Sequence, residues 1–247
     1  MKDNGLLVQY FNANTPADQT LWAKAVKDAA TLKKLGATAV WFPPATKGAA
    51  GKDDRGYAPY DLYDLGEFNQ KGSVGTRYGT KKEYLEAIDA MKAQGINVYA
   101  DIAVRQKLGA DSVEKVTAAD FNAKDIPQMI GNKKIVGALS KFTFPGRKSK
   151  YSKFKWNWNH FAGIDWQQDD FKRRVCELSG MTEMEAEKKY KLSKYDYIIG
   201  SELDLYNQEV YDELMAWAKW YEDVTGVDGF RFQEAEKIPG WFIRDFA

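Results

Sequence analysis

Four acidic side chains could supply a pair of carboxyl groups: Glu202, Asp204, Glu234 and Glu236. Two carboxyl groups held close together can act as a general acid and as a base or nucleophile. Most acidic side chains, however, are solvated at a protein surface. We therefore expect these four to be ordinary charged residues and not a catalytic pair.

His160 and Cys176 are the only histidine and the only cysteine of the chain. A serine–histidine or cysteine–histidine catalytic site would need His160, because the chain has no other histidine. We expect a packing role for His160. Cys176 lies in a polar stretch that we interpret as helical, and we expect its thiol to be inert. A single cysteine also excludes a disulfide bond within the chain.

The composition limits the classes of partner. The formal net charge is +1, which argues against a nucleic acid or an acidic membrane, because both need a basic field. The residues at 1–3 begin no apolar leader, and no apolar run approaches membrane-spanning length. This pattern predicts a cytoplasmic protein, although a chain whose leader has been removed would look the same. Aromatic residues make up 14% of the chain, which fits either core packing or stacking on sugar rings.

Apolar periodicity indicates the elements that position these residues. Helical spacing predicts helices at 21–35, 81–94 and 208–225, and a further helix beginning near 239–241. Short apolar runs predict strands at 6–11, 39–42, 96–104 and 229–232. Strands that alternate with helices and are apolar throughout indicate βαβ units and a parallel sheet. Residues 105–201 break this rhythm, so we interpret them as a small inserted domain within a domain made of residues 1–104 and 202–247.

Several motifs in this order are similar to those of bacterial liquefying alpha-amylases. They lie at residues 39–44 (AVWFPP), 47–48, 56–68 (GYAPYDLYDLGEF), 70–72, 77–80, 144–147 (FPGR), 151–152, 154–156, 160–161 and 228–231 (DGFR). The resemblance implies an α/β fold: half of a (β/α)8 TIM barrel, strands one to four, with an inserted B domain after strand three. The family's acid/base glutamate on strand five and its aspartate on strand seven would fall beyond residue 247.

The resemblance also implies that the catalytic machinery has changed. The family's nucleophilic aspartate corresponds to Gln233, whose neutral amide is a poor nucleophile. The histidine that contacts sugar in the cleavage subsite corresponds to Gln106. Asp101 and Arg231 match a carboxylate–guanidinium pair of the family, for which we favour a structural role in holding two strands in register. Tyr57 matches a tyrosine that stacks on sugar, and packing beneath its loop is an equal alternative.

The family's calcium site is altered in the same way. Its asparagine ligand corresponds to Arg105, and a guanidinium has no acceptor atom for a cation. The acidic positions of that site correspond to Asp196, Glu202 and Asp204. We expect Arg105 to replace calcium among these carboxylates, which leaves the chain without a metal cofactor.

These substitutions predict a catalytically inactive homologue of alpha-amylases that binds alpha-glucan weakly or serves as an assembly module. Tyr57, Trp156 and Trp158 are the expected contacts for a maltooligosaccharide. The alternative is an active endo-acting alpha-1,4-glucan hydrolase with displaced carboxylates or with strands supplied by a partner chain. Natural decay and redesign for stability are both compatible with this set of substitutions.

A homodimer is the expected assembly. Four parallel strands cannot close a barrel, which takes about eight. Such a half-barrel would expose strand edges and the inward faces of residues 6–8, 40–42 and 230–232. A second copy could cover them. The alternative is that the inserted domain or the segment after Trp241 folds back over the open side.

Overall fold

The computed structural model describes residues 5–121, 129–169, 172–178 and 200–246. In these ranges the strands are β1 (Leu7–Gln9), β2 (Ala39–Phe42), β3 (Lys47–Gly48), β4 (Pro59–Asp61), β5 (Asn97–Ile102), β6 (Gln106–Lys107), β7 (Ser112–Phe121), β8 (Met129–Lys141), β9 (Phe161–Gln167), β10 (Lys172–Glu177), β11 (Ser201–Leu203) and β12 (Gly229–Phe232). The helices are α1 (Leu21–Lys34), α2 (Lys81–Ala93), α3 (Gln208–Thr225) and α4 (Gly240–Phe246).

A parallel sheet forms the first half of a barrel. Its strand order in the described residues is β1–β2–β5–β12, and each neighbouring pair is parallel. Helix α1 connects β1 to β2, α2 precedes β5, and α3 precedes β12. The predicted α/β half-barrel is confirmed, and the described residues form no closed barrel.

Local sequence explains where two of these helices begin and end. Thr80 caps α2 by accepting from the backbone N–H of Glu83, whose side chain in turn accepts from the N–H of Thr80. This reciprocal arrangement satisfies two N–H groups that the first helical turn leaves unpaired. Helix α3 ends at Gly226, which adopts a left-handed φ of 64°. Glycine lacks the Cβ that makes this conformation costly for other residues.

Side chains alternate across the parallel sheet. Val40 and Phe42 are fully buried on the side of the helices, where the Phe42 ring packs against Trp22 at a centroid distance of 5.3 Å. Burial of each such apolar side chain contributes about 1.5–3 kcal/mol. The opposite side of the sheet, here called the open face, carries Leu7, Gln9, Trp41, Tyr99, Asp101 and Arg231.

The open face is less apolar than predicted. Phe230 and Phe232 lie on the helix side, where both pack against Phe246 of α4 at centroid distances of 5.5 and 5.0 Å. Because strand side chains alternate, only Arg231 of that triplet faces the open side. The idea that residues after Trp241 cover the open face is therefore wrong for residues 242–246, since Phe242 and Phe246 pack on the helical side.

A second sheet is built from the sequence between the third and fourth barrel strands. Its order in the described residues is β6–β11–β9–β10–β7–β8, and its pairs are antiparallel. Its last strand, β11, crosses the boundary predicted between residues 201 and 202. The predicted division into 1–104 plus 202–247 and 105–201 stays a prediction.

Cys176 lies in a strand, so the helical interpretation of its surroundings was wrong. It belongs to β10, which pairs with β7 and β9. Its Sγ is buried and lies 2.7 Å from Nε2 of Gln167. Burial raises the pKa of this thiol to about 12, which fits the expected inert cysteine.

None of the helices in the described ranges is long and apolar enough to cross a membrane.

Candidate active site at the carboxyl ends of the strands

The predicted pair of Asp101 and Arg231 lies on neighbouring strands β5 and β12, where the two residues are register partners. Arg231 Nη1 donates to Asp101 Oδ1 at 3.1 Å, and Tyr57 OH donates to Asp101 Oδ2 at 2.7 Å. Burial raises the pKa of Asp101, and the hydrogen bond from Tyr57 and the charge of Arg231 only partly offset this effect. The guanidinium of Arg231 lies over the Trp41 ring, 4.7 Å from its centroid.

These contacts fix Tyr57 as well as the ion pair. Its hydroxyl is held by Asp101, and its backbone carbonyl accepts from Gln106 Nε2 at 3.2 Å. The structure thus brings four of the predicted site residues together: Tyr57, Asp101, Gln106 and Arg231. Both carboxylate oxygens of Asp101 accept hydrogen bonds, so this group acts as an acceptor that orders its neighbours.

Gln233 follows β12 directly, at the carboxyl end of the sheet. Its backbone N–H donates to the carbonyl of Ile102 at 2.9 Å. Its side-chain Oε1 is buried and accepts no hydrogen bond from the described residues. An amide at this position carries no negative charge with which to attack a sugar or stabilise an oxocarbenium ion.

Arg105 links two carboxylates beside this cluster. Its Nη1 donates to Glu202 Oε1 at 2.9 Å and its Nη2 to Glu234 Oε2 at 2.6 Å. Lys237 Nζ donates to the other Glu234 oxygen at 2.8 Å. Although burial of Glu234 opposes its ionisation, the hydrogen bonds from Lys237 and Arg105 outweigh this effect and lower its pKa.

Calcium does not fit this arrangement. The cation binds oxygen ligands, whereas here the guanidinium of Arg105 lies against the carboxylate of Glu202, with side-chain exposures of 2% and 6%. The predicted contact between Arg105 and Glu202 is present. Asp204 Oδ1 accepts from the backbone N–H of Tyr206, and Asp196 lies outside the described residues.

Sequence reasoning missed the role of Glu234. Its partner Arg105 lies 129 positions away in the chain, and no local pattern reveals such a pairing. Glu234 also adopts a positive φ of 50°, which is uncommon for a residue other than glycine. The feature of the sequence that could have indicated this role was Lys237, three residues after Glu234, because Lys237 forms the second ion pair of the Glu234 carboxylate.

The predicted aromatic contacts differ in accessibility. Trp156 is only 3% exposed, and its ring packs between Phe154, His160 and Phe161. It presents no free ring face, which does not fit the stacking role predicted for it. Trp158 is 37% exposed. Aromatic residues in a sequence do not reveal which ring faces remain accessible.

His160 has the predicted packing role. Its Nδ1 accepts from the backbone N–H of Asn157, and its Nε2 lies 3.0 Å from a carboxylate oxygen of Glu209. The ring is buried against Phe154 and Trp156. Both ring nitrogens are thus engaged, and the imidazole orders the turn that leads into β9.

Comparison with known proteins identifies relatives along the full chain. No protein-family model matches. An alpha-amylase from Geobacillus stearothermophilus is 45% identical over 244 residues, which are 98% of this chain and 44% of that protein. An alpha-amylase from Bacillus licheniformis is 41% identical over 243 residues, 98% of this chain and 47% of that protein. A cytoplasmic alpha-amylase from Escherichia coli (strain K12) is 36% identical, with 98% and 50% covered.

Solved structures agree on the fold. An alpha-amylase from Geobacillus thermoleovorans, complexed with acarbose, superposes with a TM-score of 0.53 at 16% identity, covering 97% of this chain and 42% of that one. A cyclic alpha-maltosyl-(1→6)-maltose hydrolase from Arthrobacter globiformis gives a TM-score of 0.53 at 17% identity, with 97% and 42% covered. The chain spans about half the length of the curated relatives that it matches. It belongs to the alpha-amylase family of glycoside hydrolases and corresponds to the N-terminal half of the family's members.

Proposed function

We propose that this chain is a non-hydrolytic member of the alpha-amylase family that binds alpha-1,4-glucans weakly. The observation that carries the proposal is Gln233 at the carboxyl end of β12, where the resemblance places the nucleophile. Gln106 supports it, because its amide is bonded to the carbonyl of Tyr57. A nucleophile's loss typically costs several orders of magnitude in rate.

The nearby acidic groups support the same proposal. Glu202 and Glu234 are ion-paired with Arg105, and the pKa of Glu234 is lowered. A carboxyl group held in its ionised form cannot donate the proton that a leaving sugar needs. Glu236 is exposed to solvent. This arrangement argues against the alternative of an active hydrolase with displaced carboxylates.

The test is an assay of the 247-residue chain on starch and on a chromogenic maltooligosaccharide. We expect no release of reducing sugar above a no-protein control. The decisive variants are Glu202→Gln and Glu234→Gln, because a displaced dyad would need these carboxylates. Turnover that either substitution abolishes would refute the proposal and establish the active alternative.

Weak sugar binding rests on the surviving aromatic groups. Trp158 is exposed, and Tyr57 is held in place by Asp101, whereas the polar subsite groups are replaced. Titration calorimetry with maltoheptaose tests this part. We expect a dissociation constant in the range of about 1 mM, which corresponds to roughly −4 kcal/mol, and a further loss of affinity in Trp158→Ala.

We also propose a cytoplasmic location, since the relative from Escherichia coli carries that description in its name. Fractionation of the source cells with an antibody to this chain tests it. Recovery outside the cytoplasmic fraction would contradict it.

A further inference from the structure

Trp158 presents its ring to solvent at the surface of the inserted region. The residue is 37% exposed, and its ring stacks on no other aromatic ring and lies beneath no cation among the residues that the structure describes. The neighbouring rings of Phe154, Trp156 and Phe161 pack on one another instead. The face of an indole ring carries negative charge density, which attracts the C–H groups on one face of a sugar ring. Trp158 therefore offers a stacking surface that its neighbours do not.

The turn that carries this ring, residues 157–160, has a hydrogen bond at each of its backbone N–H groups. The N–H of Asn157 donates to Nδ1 of His160 at 3.0 Å, and the N–H of Asn159 donates to Oδ1 of Asn157 at 3.0 Å. The N–H of His160 donates to the carbonyl of Asn157 at 3.0 Å. The N–H of Trp158 donates to Oε2 of Glu114 at 2.9 Å. Because the turn is already ordered, a ligand that binds to it loses little affinity to the ordering of the chain.

Two polar side chains flank the ring and have hydrogen-bonding atoms to spare. Glu114, on β7, accepts from Trp158 and from Oγ of Ser140 through the same oxygen, Oε2. Its Oε1 accepts no hydrogen bond within the described ranges. Asn159 is exposed, and its backbone carbonyl accepts from Nδ2 of Asn207 at 3.0 Å. The side-chain amide of Asn159 forms no hydrogen bond with any described residue.

We propose that Glu114 and Asn159 are the hydrogen-bonding groups of a sugar subsite in which Trp158 is the stacking surface, and that the subsite takes one glucosyl unit of an alpha-1,4-glucan. This inference rests on the proposed weak binding of alpha-glucans and assigns it two polar residues. When one face of a glucosyl ring lies on an indole, the hydroxyl groups project from the rim of the sugar ring. Oε1 of Glu114 can accept from one hydroxyl, and the amide of Asn159 can donate to and accept from another.

The chemistry of these groups selects the kind of sugar. An alpha-1,4 linkage leaves the adjacent hydroxyl groups on carbons 2 and 3 free in every unit, and they form the pair that a carboxylate and an amide can bind together. The charged groups bonded to the turn are carboxylates, Glu114 and Glu209, and the side chain of Glu209 is 72% exposed. Like charges repel, so this site favours a neutral saccharide over an acidic one.

Nuclear magnetic resonance titration of the 247-residue chain with maltoheptaose tests the inference. The signal followed is the indole N–H of Trp158, which is identified by its loss in Trp158→Phe. We expect a saturable shift of this signal. Asn159→Ala should raise the dissociation constant about threefold to tenfold, the contribution of one neutral hydrogen bond. Glu114→Gln should raise it roughly fivefold, because a carboxylate accepts a stronger hydrogen bond than an amide does.

Glu213→Gln is the matched control. Glu213, on α3, is likewise a half-buried carboxylate that accepts from a serine hydroxyl, Oγ of Ser152 at 2.7 Å, and it does not contact the turn. We expect maltoheptaose affinity to be unchanged in this variant. Asn159→Ala should also keep the wild-type thermal midpoint, because its amide has no partner to lose, so its weaker binding cannot come from unfolding. If Glu114→Gln does not fold, Asn159→Ala decides the question alone.

The outcomes separate this inference from the proposed function. A wild-type indole shift whose midpoint neither Asn159→Ala nor Glu114→Gln changes overturns the inference and leaves weak glucan binding in place. Binding detected by calorimetry without a shift of the Trp158 signal overturns it as well, because the sugar is then bound elsewhere. No binding by either method overturns both the inference and the proposed weak binding.

Discussion

Replacing Arg105 with alanine is expected to destabilise the chain by about 3–5 kcal/mol, the usual cost of removing one partner of a buried ion pair. We attribute most of this loss to Glu202, whose side chain is 6% exposed and would lose its guanidinium partner. Glu234 adds less, because its side chain is 26% exposed and retains Lys237 as a partner. Urea unfolding followed by circular dichroism measures the change.

The matched control for this experiment is Arg244→Ala. Arg244 also pairs with an acidic residue, Asp245, but its side chain is 75% exposed, and surface pairs contribute about 0–1 kcal/mol. Adding Glu202→Gln to the Arg105→Ala variant should recover part of the loss, since a buried amide costs less than a buried carboxylate that has lost its guanidinium. A loss in Arg105→Ala no larger than in Arg244→Ala would refute the assignment of Arg105 as a buried counter-ion.

Three further outcomes are expected. Gln233→Asp alone should leave the starch assay at background, because the ionised Glu234 beside it cannot act as an acid; measurable turnover would contradict this. Trp156→Ala should lower the thermal midpoint of unfolding, whereas Trp158→Ala should lower the affinity for maltoheptaose. The reverse pattern in thermal unfolding and calorimetry would refute the assignment of Trp156 to the core and of Trp158 to sugar binding. Burial lowers the pKa of Lys107 to about 7, so the folded state binds fewer protons than the unfolded state between about pH 7 and 10, and stability rises with pH there. Lys107→Met should flatten that rise in urea unfolding measured across this window, and an unchanged slope would count against it.

The helices and barrel strands were predictable because burial imposes a period on their sequences. Helices α1 and α2 end within one residue of the predicted positions, and α3 has the predicted bounds. Strand β1 is shorter than the predicted 6–11. In all these cases the signal is local, because one side of each element contacts the core.

The second sheet was not predictable in the same way. Strand β10 has the mostly polar sequence KRRVCE, and the surroundings of Cys176 were misinterpreted as helical for that reason. Pairing with β7, more than fifty residues earlier, makes this segment a strand. Tertiary pairing of this kind overrides weak local preference.

The aromatic residues of the inserted region illustrate a second limit. A tryptophan at position 156 suggested a surface on which a sugar ring stacks. Its ring lies in the core instead, where Nζ of Lys107 is 5.1 Å from the ring centroid. The Lys107 Nζ is buried and donates no hydrogen bond to any of the described residues. Composition indicates neither which rings pack inward nor that a lysine would lie among them.

The changes at the carboxyl ends of the strands form one connected unit. The resemblance implies that Arg105 stands where the family has an uncharged asparagine. Glu234, next to the position that the resemblance gives to the nucleophile, supplies one of the carboxylates that pair with Arg105. Glu234 reaches it from a positive φ, a conformation that costs about 1–3 kcal/mol and persists only where surrounding contacts hold it. The ion pairs with Arg105 and Lys237 are those contacts. These ion pairs hold the backbone after Gln233. Gln233→Asp would therefore change one side chain and leave the carboxylate of Glu234 paired with Arg105 and Lys237.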